Sequence, residues 1–359
     1  MQLSQIDIQG VRNLKQARLI PAPGLNFIYG PNASGKTSLI EAIYLLSHGR
    51  SFRSSNIRSV IQKESSTLQI YGKVLQEQSG TSINLGLEKG PSHTQIRINQ
   101  QPVTHTSRLA AYLPVQIINP EAHRLLEQGP SQRRIYIDWG LFHEEQSLHE
   151  TWQKYTRILK QRNAALREKT SQRDAKLWDK SLVETAEKLT ELRNRYIQEL
   201  LPYLQDFTQR LIRISPSVQY RQGWPQDMSF ESALSKSIEQ DIQKGFTRYG
   251  PHRAELHITE DGQLVQEQFS RGQQKLLVSA MRLAQIKHLK KRQTQQSVVL
   301  VDDLAAELDQ THRKRLIEHL LARGAQVFIT STDAGLLETA AWKSCKMFHV
   351  EHGQITEVV

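Results

Sequence analysis

Residues 27–46 read "FIYGPNASGKTSLIEAIYLL". The apolar end of a short strand, "LNFIY" (25–29), runs into the spacing G-x-x-x-x-G-K-T from Gly30 to Thr37, and an apolar helix pattern begins at once. The chemistry needs that order. Glycines let successive amides turn into one concave anion nest, and the first helical turn adds its partial positive charge. Gly30, Pro31, Asn32, Ala33, Ser34, Gly35, Lys36, Thr37 and Ser38 are therefore the candidate nucleotide-binding residues. Lys36 is placed to reach the β- and γ-phosphates of ATP, and the Thr37 hydroxyl to ligate Mg²⁺. A chance glycine-rich turn would explain the loop but not the strand before it and the helix after it.

Such a loop needs an acidic partner for the metal. "VVLVDD" (298–303) supplies four apolar residues of a buried strand ending in Asp302 and Asp303. Asp302 is the expected metal carboxylate, and Asp303 stands where a base or water-positioning group belongs. A solvated strand end has the same letters; the phosphate loop earlier in the chain favours the metal reading.

"FSRGQQKLL" (269–277) opens a long helix pattern about 30 residues before that strand. Ser270 is a good N-cap, Gly272 permits close approach, and the free amides of the first turn favour an anion. A plain capped helix accounts for Ser270 but not for the whole combination.

The remaining pattern is mixed. "LSQIDI" (3–8) alternates as a half-buried strand; "LQIYGKVL", "SINLGLE" and "TQIRINQ" between 67 and 100 read as an antiparallel sheet; "LPVQIINP" (113–120) is a buried strand. From about 131 to 210 apolar residues recur at helical spacing on both sides of "REKTSQRDAK", predicting two arms of roughly 45 Å each. Strand character is expected again over "RAELHITEDGQLVQEQF" (253–269), with Asp261-Gly262 as a hairpin turn. A helix near 311–323, a strand "AQVFITST" and a final hairpin from Lys346 complete the chain.

Composition narrows the class. The 359 residues carry 47 Lys+Arg against 36 Asp+Glu, a net charge of +11 that favours a polyanionic partner or marks a generally basic protein. No apolar run is long enough for a membrane span, no secretory signal is read at the N-terminus, and the lone Cys345 makes no internal disulfide. A cytoplasmic protein is expected.

The order P-loop, S-x-G-Q, apolar run with acid and "AAELD" (305–309) resembles the ATP-binding-cassette head of the SMC-like DNA-repair ATPases. "QIDIQGVRNL", "INPE", "RRIYIDWG" and "RYGPHRAEL" narrow the resemblance to the RecF family. It implies an α/β fold: a P-loop head of mixed sheet and helices with a helical lobe inserted between the P-loop and the signature. The implied division is 1–125 and 291–359 for the head and 126–290 for the lobe. It implies that Ser270, Arg271, Gly272, Gln273 and Gln274 bind the γ-phosphate on a second subunit, with Asp309 at the dimer seam. Arg12 and Asn13 match a position near the nucleotide. Thr330, Ser331 and Thr332 fill the place where many relatives carry a switch histidine.

Such proteins bind ATP with Mg²⁺, dimerise, bind DNA at single-strand gaps and stalled forks, and act with RecR and RecO in loading RecA. The resemblance thus implies a weak, DNA-stimulated ATPase associated with the bacterial nucleoid. Arg50, Arg53 and Arg58, and Lys154, Arg157, Lys160, Arg162 and Arg167 in the lobe, are candidate backbone contacts to DNA or simply solvated faces. Gln116 is a candidate metal-sensing glutamine. Rival readings are a transporter-type ATPase subunit and a scaffold that binds ATP without turnover, the second kept open by Asp303 where many relatives carry Glu.

Overall fold

The alternating N-terminus forms β1 (Gln2–Val11), which buries Leu3, Ile6, Ile8 and Val11. A register shift between Leu3 and Gln5 lets Leu3 and Ile6, three apart, share a buried setting. A two-residue turn, Arg12–Asn13, with Arg12 at φ 54, returns the chain as β2 (Leu14–Leu19), a strand the sequence pattern did not announce. Then come β3 (Leu25–Tyr29), α1 (Lys36–His48), β4 (Leu68–Leu75), β5 (Ser82–Lys89), β6 (Thr94–Ile98), β7 (Gln101–Val103), α2 (Ser107–Tyr112) and β8 (Val115–Ile118). The structure, a computed structural model, describes residues 1–76, 80–145, 147–168, 175–292, 297–303, 310–321, 325–336 and 344–358.

A second unit, His123–Gln293, follows. It holds α3 (Arg124–Glu127), α4 (Pro130–Glu144), α5 (Ser147–Arg167), α6 (Asp179–Ile212), β9 (Ser217–Arg221), α7 (Phe230–Lys244), β10 (Glu255–Glu260), β11 (Gln263–Leu264), α8 (Val265–Gln268) and α9 (Arg271–Arg292). The chain then rejoins the first unit, Met1–Ala122 with Thr294–Val359, through β12 (Val298–Val301), α10 (Gln310–Leu321), β13 (Gln326–Ser331), β14 (Cys345–Glu351) and β15 (Gln354–Glu357).

Among the described residues the first unit has two six-stranded sheets, ordered β2-β1-β4-β5-β6-β7 and β15-β14-β3-β13-β12-β8. The first is antiparallel; in the second, β8, β12, β13, β3 and β14 run parallel and β15 is an antiparallel edge. The parallel strands β8, β12 and β13 are buried along their whole length, as strands covered on both faces must be. Helix α1 packs against β1, β4 and β5 of one sheet and β8 and β13 of the other. Its apolar residues therefore go all round, and its charged Glu41 is fully buried. The Gln326 side chain ties β13 to β1, accepting from the Leu3 amide and donating to the Leu3 carbonyl, both at 2.8 Å.

In the second unit α6, 34 residues and about 50 Å long, packs against α4, α5, α7 and α9. Two buried arginines hold it together. Arg193 forks onto Asp138 at 2.8 Å through two nitrogens and donates to the Pro251 carbonyl. Arg162, expected among the DNA-facing cations, is instead fully buried, bonded to Asp179 (2.8 Å), Asp241 (2.9 Å) and Thr247 (2.7 Å). The spacing that placed it on a helix face was right, but that face is the inner one. The Asp261-Gly262 turn joins β10 to β11 as expected, yet "VQEQ" continues as helix α8 rather than strand. β9 and α7 were not foreseen.

Burial pushes the His143 and His252 imidazoles down to about 4. His252 accepts from the Tyr155 hydroxyl at Nδ1 (2.6 Å) and donates from Nε2 to the Thr247 carbonyl (3.1 Å), an arrangement that needs the neutral ring. An unfolded histidine titrates near pH 6.5, so between about 6.5 and 4 the unfolded chain binds more protons and stability falls as pH drops. Each ring is expected to remove about 2 kcal/mol by pH 5. Urea midpoints should therefore fall between pH 7 and 5, and His143→Phe should lessen the fall; a flat profile would contradict this.

Candidate nucleotide site

The loop between β3 and α1 has the form an anion needs. Gly30 lies at φ 152, and a Cβ there would collide with the Val350 carbonyl, so only glycine fits. Ala33 takes a left-handed φ of 61. Gly35, the N-cap of α1, provides no side-chain cap, which leaves the helix's first N–H groups for another acceptor. Asn13 braces the loop: its amide donates to the Ser34 carbonyl (3.0 Å) and its oxygen accepts from the Ser38 hydroxyl (2.8 Å). The Gly353 amide donates to the same Ser34 carbonyl at 2.8 Å. The Ser34 hydroxyl is buried without a hydrogen-bond partner among the described residues. Lys36 folds across the loop, its ammonium 2.8 Å from the Gly30 and Pro31 carbonyls, and burial lowers its pKa against the pull of Asp303 and Asp302. Pro31 and Asn32 are exposed at the mouth.

The acidic strand end lies beside this loop. The Thr37 hydroxyl donates to Asp302 Oδ1 at 3.0 Å. Thr330, at the end of the neighbouring parallel strand, donates to the same oxygen at 2.8 Å and accepts from the Asp303 amide at 2.8 Å. Burial raises the Asp302 pKa, while the Thr330 and Thr37 hydroxyls and the charge of Arg53 act to lower it. Asp303 is less buried and sits at φ 53. The donor set of one hydroxyl and one carboxylate, both oxygen, suits a hard divalent cation. Thr330 entered the sequence reading only as the place of an absent histidine; its contact follows from the pairing of β12 with β13, which places it beside Asp302. Gln116 lies in mid-β8, in register with Val299, three rows back from Asp302 or about 10 Å along the strand. It is thus set away from the strand end.

Arg12 is committed locally. Its guanidinium forks onto buried Glu41 with two contacts of 2.9 Å and also donates to the Ser59 carbonyl. Ser51 donates to Glu41 as well, and Arg53 lies 3.7 Å from it. A lone Glu inside the apolar pattern of α1 was the signal that such a partner was required. Of the other basic candidates, Arg50, Arg58, Lys154, Arg157, Lys160 and Arg167 are exposed.

In the second unit, Ser270 and Gln273 form a reciprocal capping box at the start of α9. The Gln273 side chain accepts from the Ser270 amide (3.0 Å), and the Ser270 hydroxyl accepts from the Gln273 amide (3.4 Å). Ser270, Arg271, Gly272 and Gln273 are exposed; Gln274 is buried, its amide donating to the Phe269 carbonyl at 3.1 Å. The segment "AAELD" with Asp309 lies outside the described residues.

Removing one half of a buried ion pair is far more damaging than replacing both halves. Arg12→Met is expected to destabilise the protein by about 3–5 kcal/mol, read as a lower urea midpoint. Arg12→Met with Glu41→Leu should recover most of that loss; a double variant as unstable as the single one would contradict the reading.

Residues 2–356 match the family described as the RecF/RecN/SMC N terminal domain. The DNA replication and repair protein RecF of Shewanella sediminis is 41% identical over 363 residues, covering all of both chains. That of Thioalkalivibrio sulfidiphilus is 39% identical over 356 residues, 99% of each. A solved structure of the recombination mediator protein RecF-ATP in the RecFOR pathway superposes with a TM-score of 0.89 at 25% identity, covering 100% of this chain and 98% of that one. An Smc head domain derived from Pyrococcus furiosus shares the fold, with a TM-score of 0.60 at 14% identity over 99% of this chain and 96% of that one. The fold is the mixed α/β head of this family, and the chain belongs to the RecF proteins within it.

Proposed function

We propose that this protein is an ATP-dependent, DNA-binding recombination mediator that dimerises around ATP and acts at single-strand gaps and stalled forks. The observation that carries the reading is the Thr37–Asp302 contact at 3.0 Å, which brings phosphate loop and acidic strand end into one site. The family supplies ATPase activity as the general chemistry, and the RecF-ATP relative supports ATP as the nucleotide. The amides of 33–37 cradle the phosphates, Lys36 reaches the terminal ones, and Thr37 with Asp302 holds Mg²⁺. The ion neutralises charge on the phosphate oxygens when bound. Asp303 positions the attacking water, and Thr330 holds the Asp302 carboxylate and the Asp303 backbone amide through its two hydrogen bonds.

Ser270 to Gln274 complete the site from a second copy. The capping box already uses the Ser270 hydroxyl and the Gln273 side chain, which leaves the exposed first turn of α9 to face the γ-phosphate. Arg12, locked to Glu41, acts by holding the loop's flank rather than by reaching freely. Weak, DNA-stimulated hydrolysis then resets the dimer. RecR and RecO are the proposed partners in loading RecA, in the cytoplasm at the nucleoid; among the described residues no helix is long and apolar enough to cross a membrane.

Light scattering with and without ATP tests the dimer. Asp303→Asn is expected to accumulate ATP-bound dimers, and Ser270→Arg to stay monomeric while still binding ATP. Dimers that survive Ser270→Arg would sink the shared site. Lys36→Arg should abolish turnover, and wild-type turnover no faster than that variant would leave a scaffold without catalysis.

A further inference from the structure

The motif "RYGPHRAEL" (248–256) is not used by the nucleotide site. In the second unit it faces the loop after β9 across a cavity of about 510 Å³, within the size range of ligand pockets, roughly 300–1,000 Å³. Three arginines line it, Arg221, Arg248 and Arg253, and none has an ion-pair partner among the described residues. The lining carboxylate, Glu255, is already held by Arg133 at 2.7 and 2.8 Å. Cations therefore dominate the cavity.

Aromatic rings alternate with those cations. Arg248 lies 5.6 Å from the Tyr249 ring centroid and Arg253 5.4 Å from that of Phe246. Phe246 is 37% exposed, so part of its ring is open to solvent beside the Arg253 guanidinium. Trp224, packed on Phe230 at 4.6 Å, is nearly buried in the wall.

The walls are held in place. The Gly250 amide donates to the Gly223 carbonyl at 3.1 Å, and a Cβ on Gly223 would strike the Gly250 carbonyl. Thr247 is bonded to Asn163 and to buried Arg162, and the Arg248 amide to Asp241. The buried ion pairs that organise the helices thus also fix the loop that carries Phe246, Arg248, Tyr249 and Arg253. A ligand here meets a formed site, not one it must order.

We propose that this pocket binds a single-stranded stretch of DNA, with one or more unstacked bases against the aromatic rings and the flanking phosphates on Arg221, Arg248 and Arg253. Phosphates alone would need the arginines but not aromatic rings set beside them. A base plane reaches such rings only when it is not stacked inside a duplex. The net charge of +11 adds general attraction for a polyanion. The proposal rests on the DNA-binding reading above and gives it a surface and a preferred strand form.

The test is fluorescence anisotropy with labelled oligothymidylate, an abasic oligomer of equal length, and a duplex, across a salt series. Phe246→Ala is expected to weaken oligothymidylate binding about tenfold while leaving the abasic oligomer nearly unchanged. Arg248→Ala with Arg253→Ala should flatten the salt slope for the single strand by about 1.4, at about 0.7 per phosphate contact. ATP binding, lodged in the other unit, and thermal melting report that the variants remain folded. Wild-type protein that binds no DNA of any form overturns the DNA-binding reading and this pocket with it. Wild-type binding that all three substitutions leave unchanged overturns the pocket alone, and so does free thymidine monophosphate binding as tightly as the strand.

Discussion

Asp302 Oδ1 accepts two hydroxyl hydrogen bonds, from Thr37 and from Thr330, and much of the first unit is arranged around that oxygen. Thr37 is the second residue of α1, Asp302 directly follows β12, and Thr330 is the penultimate residue of β13. The three come from residues separated by up to 293 positions, and only the parallel register of the sheet brings them together. Burial disfavours the carboxylate charge, and the two hydroxyls offset part of that penalty. The two hydroxyls thus hold the carboxylate in one orientation beside the phosphate loop.

The same constraint explains the oddities of α1. A helix whose N-terminus must point into the loop while its body lies between two sheets has no solvent face. Its one carboxylate, Glu41, is fully buried, and Arg12 and Ser51 supply its partners. The β1–β2 turn carries Arg12 to Glu41 and Asn13 to the phosphate loop, so one two-residue turn braces both helix and loop.

Local patterns made the fold largely legible. The P-loop, α1, β12 and α9 were readable because glycine spacing, apolar runs and capping residues lie within a few positions of the groups they serve. What failed depended on distant partners. Arg162 looked like a surface cation because helical spacing does not say which face is inner; Asp241, 79 positions away, decides that. "VQEQ" has strand-like letters, but the sheet ends at Leu264 and the segment coils into α8. Thr330 carries no motif at all, and the aromatic and arginine lining near Phe246 is assembled from two loops without periodicity.

In the proposed dimer one nucleotide is held between the loop of one chain and the α9 start of another. A structure with a non-hydrolysable ATP analogue and Mg²⁺ tests it most directly. Phosphates are expected on the amides of 33–37, the ion on Thr37 and Asp302, and the Ser270 turn of a second copy against the γ-phosphate. A nucleotide bound by a single chain, with the Ser270 turn left in solvent, would contradict it.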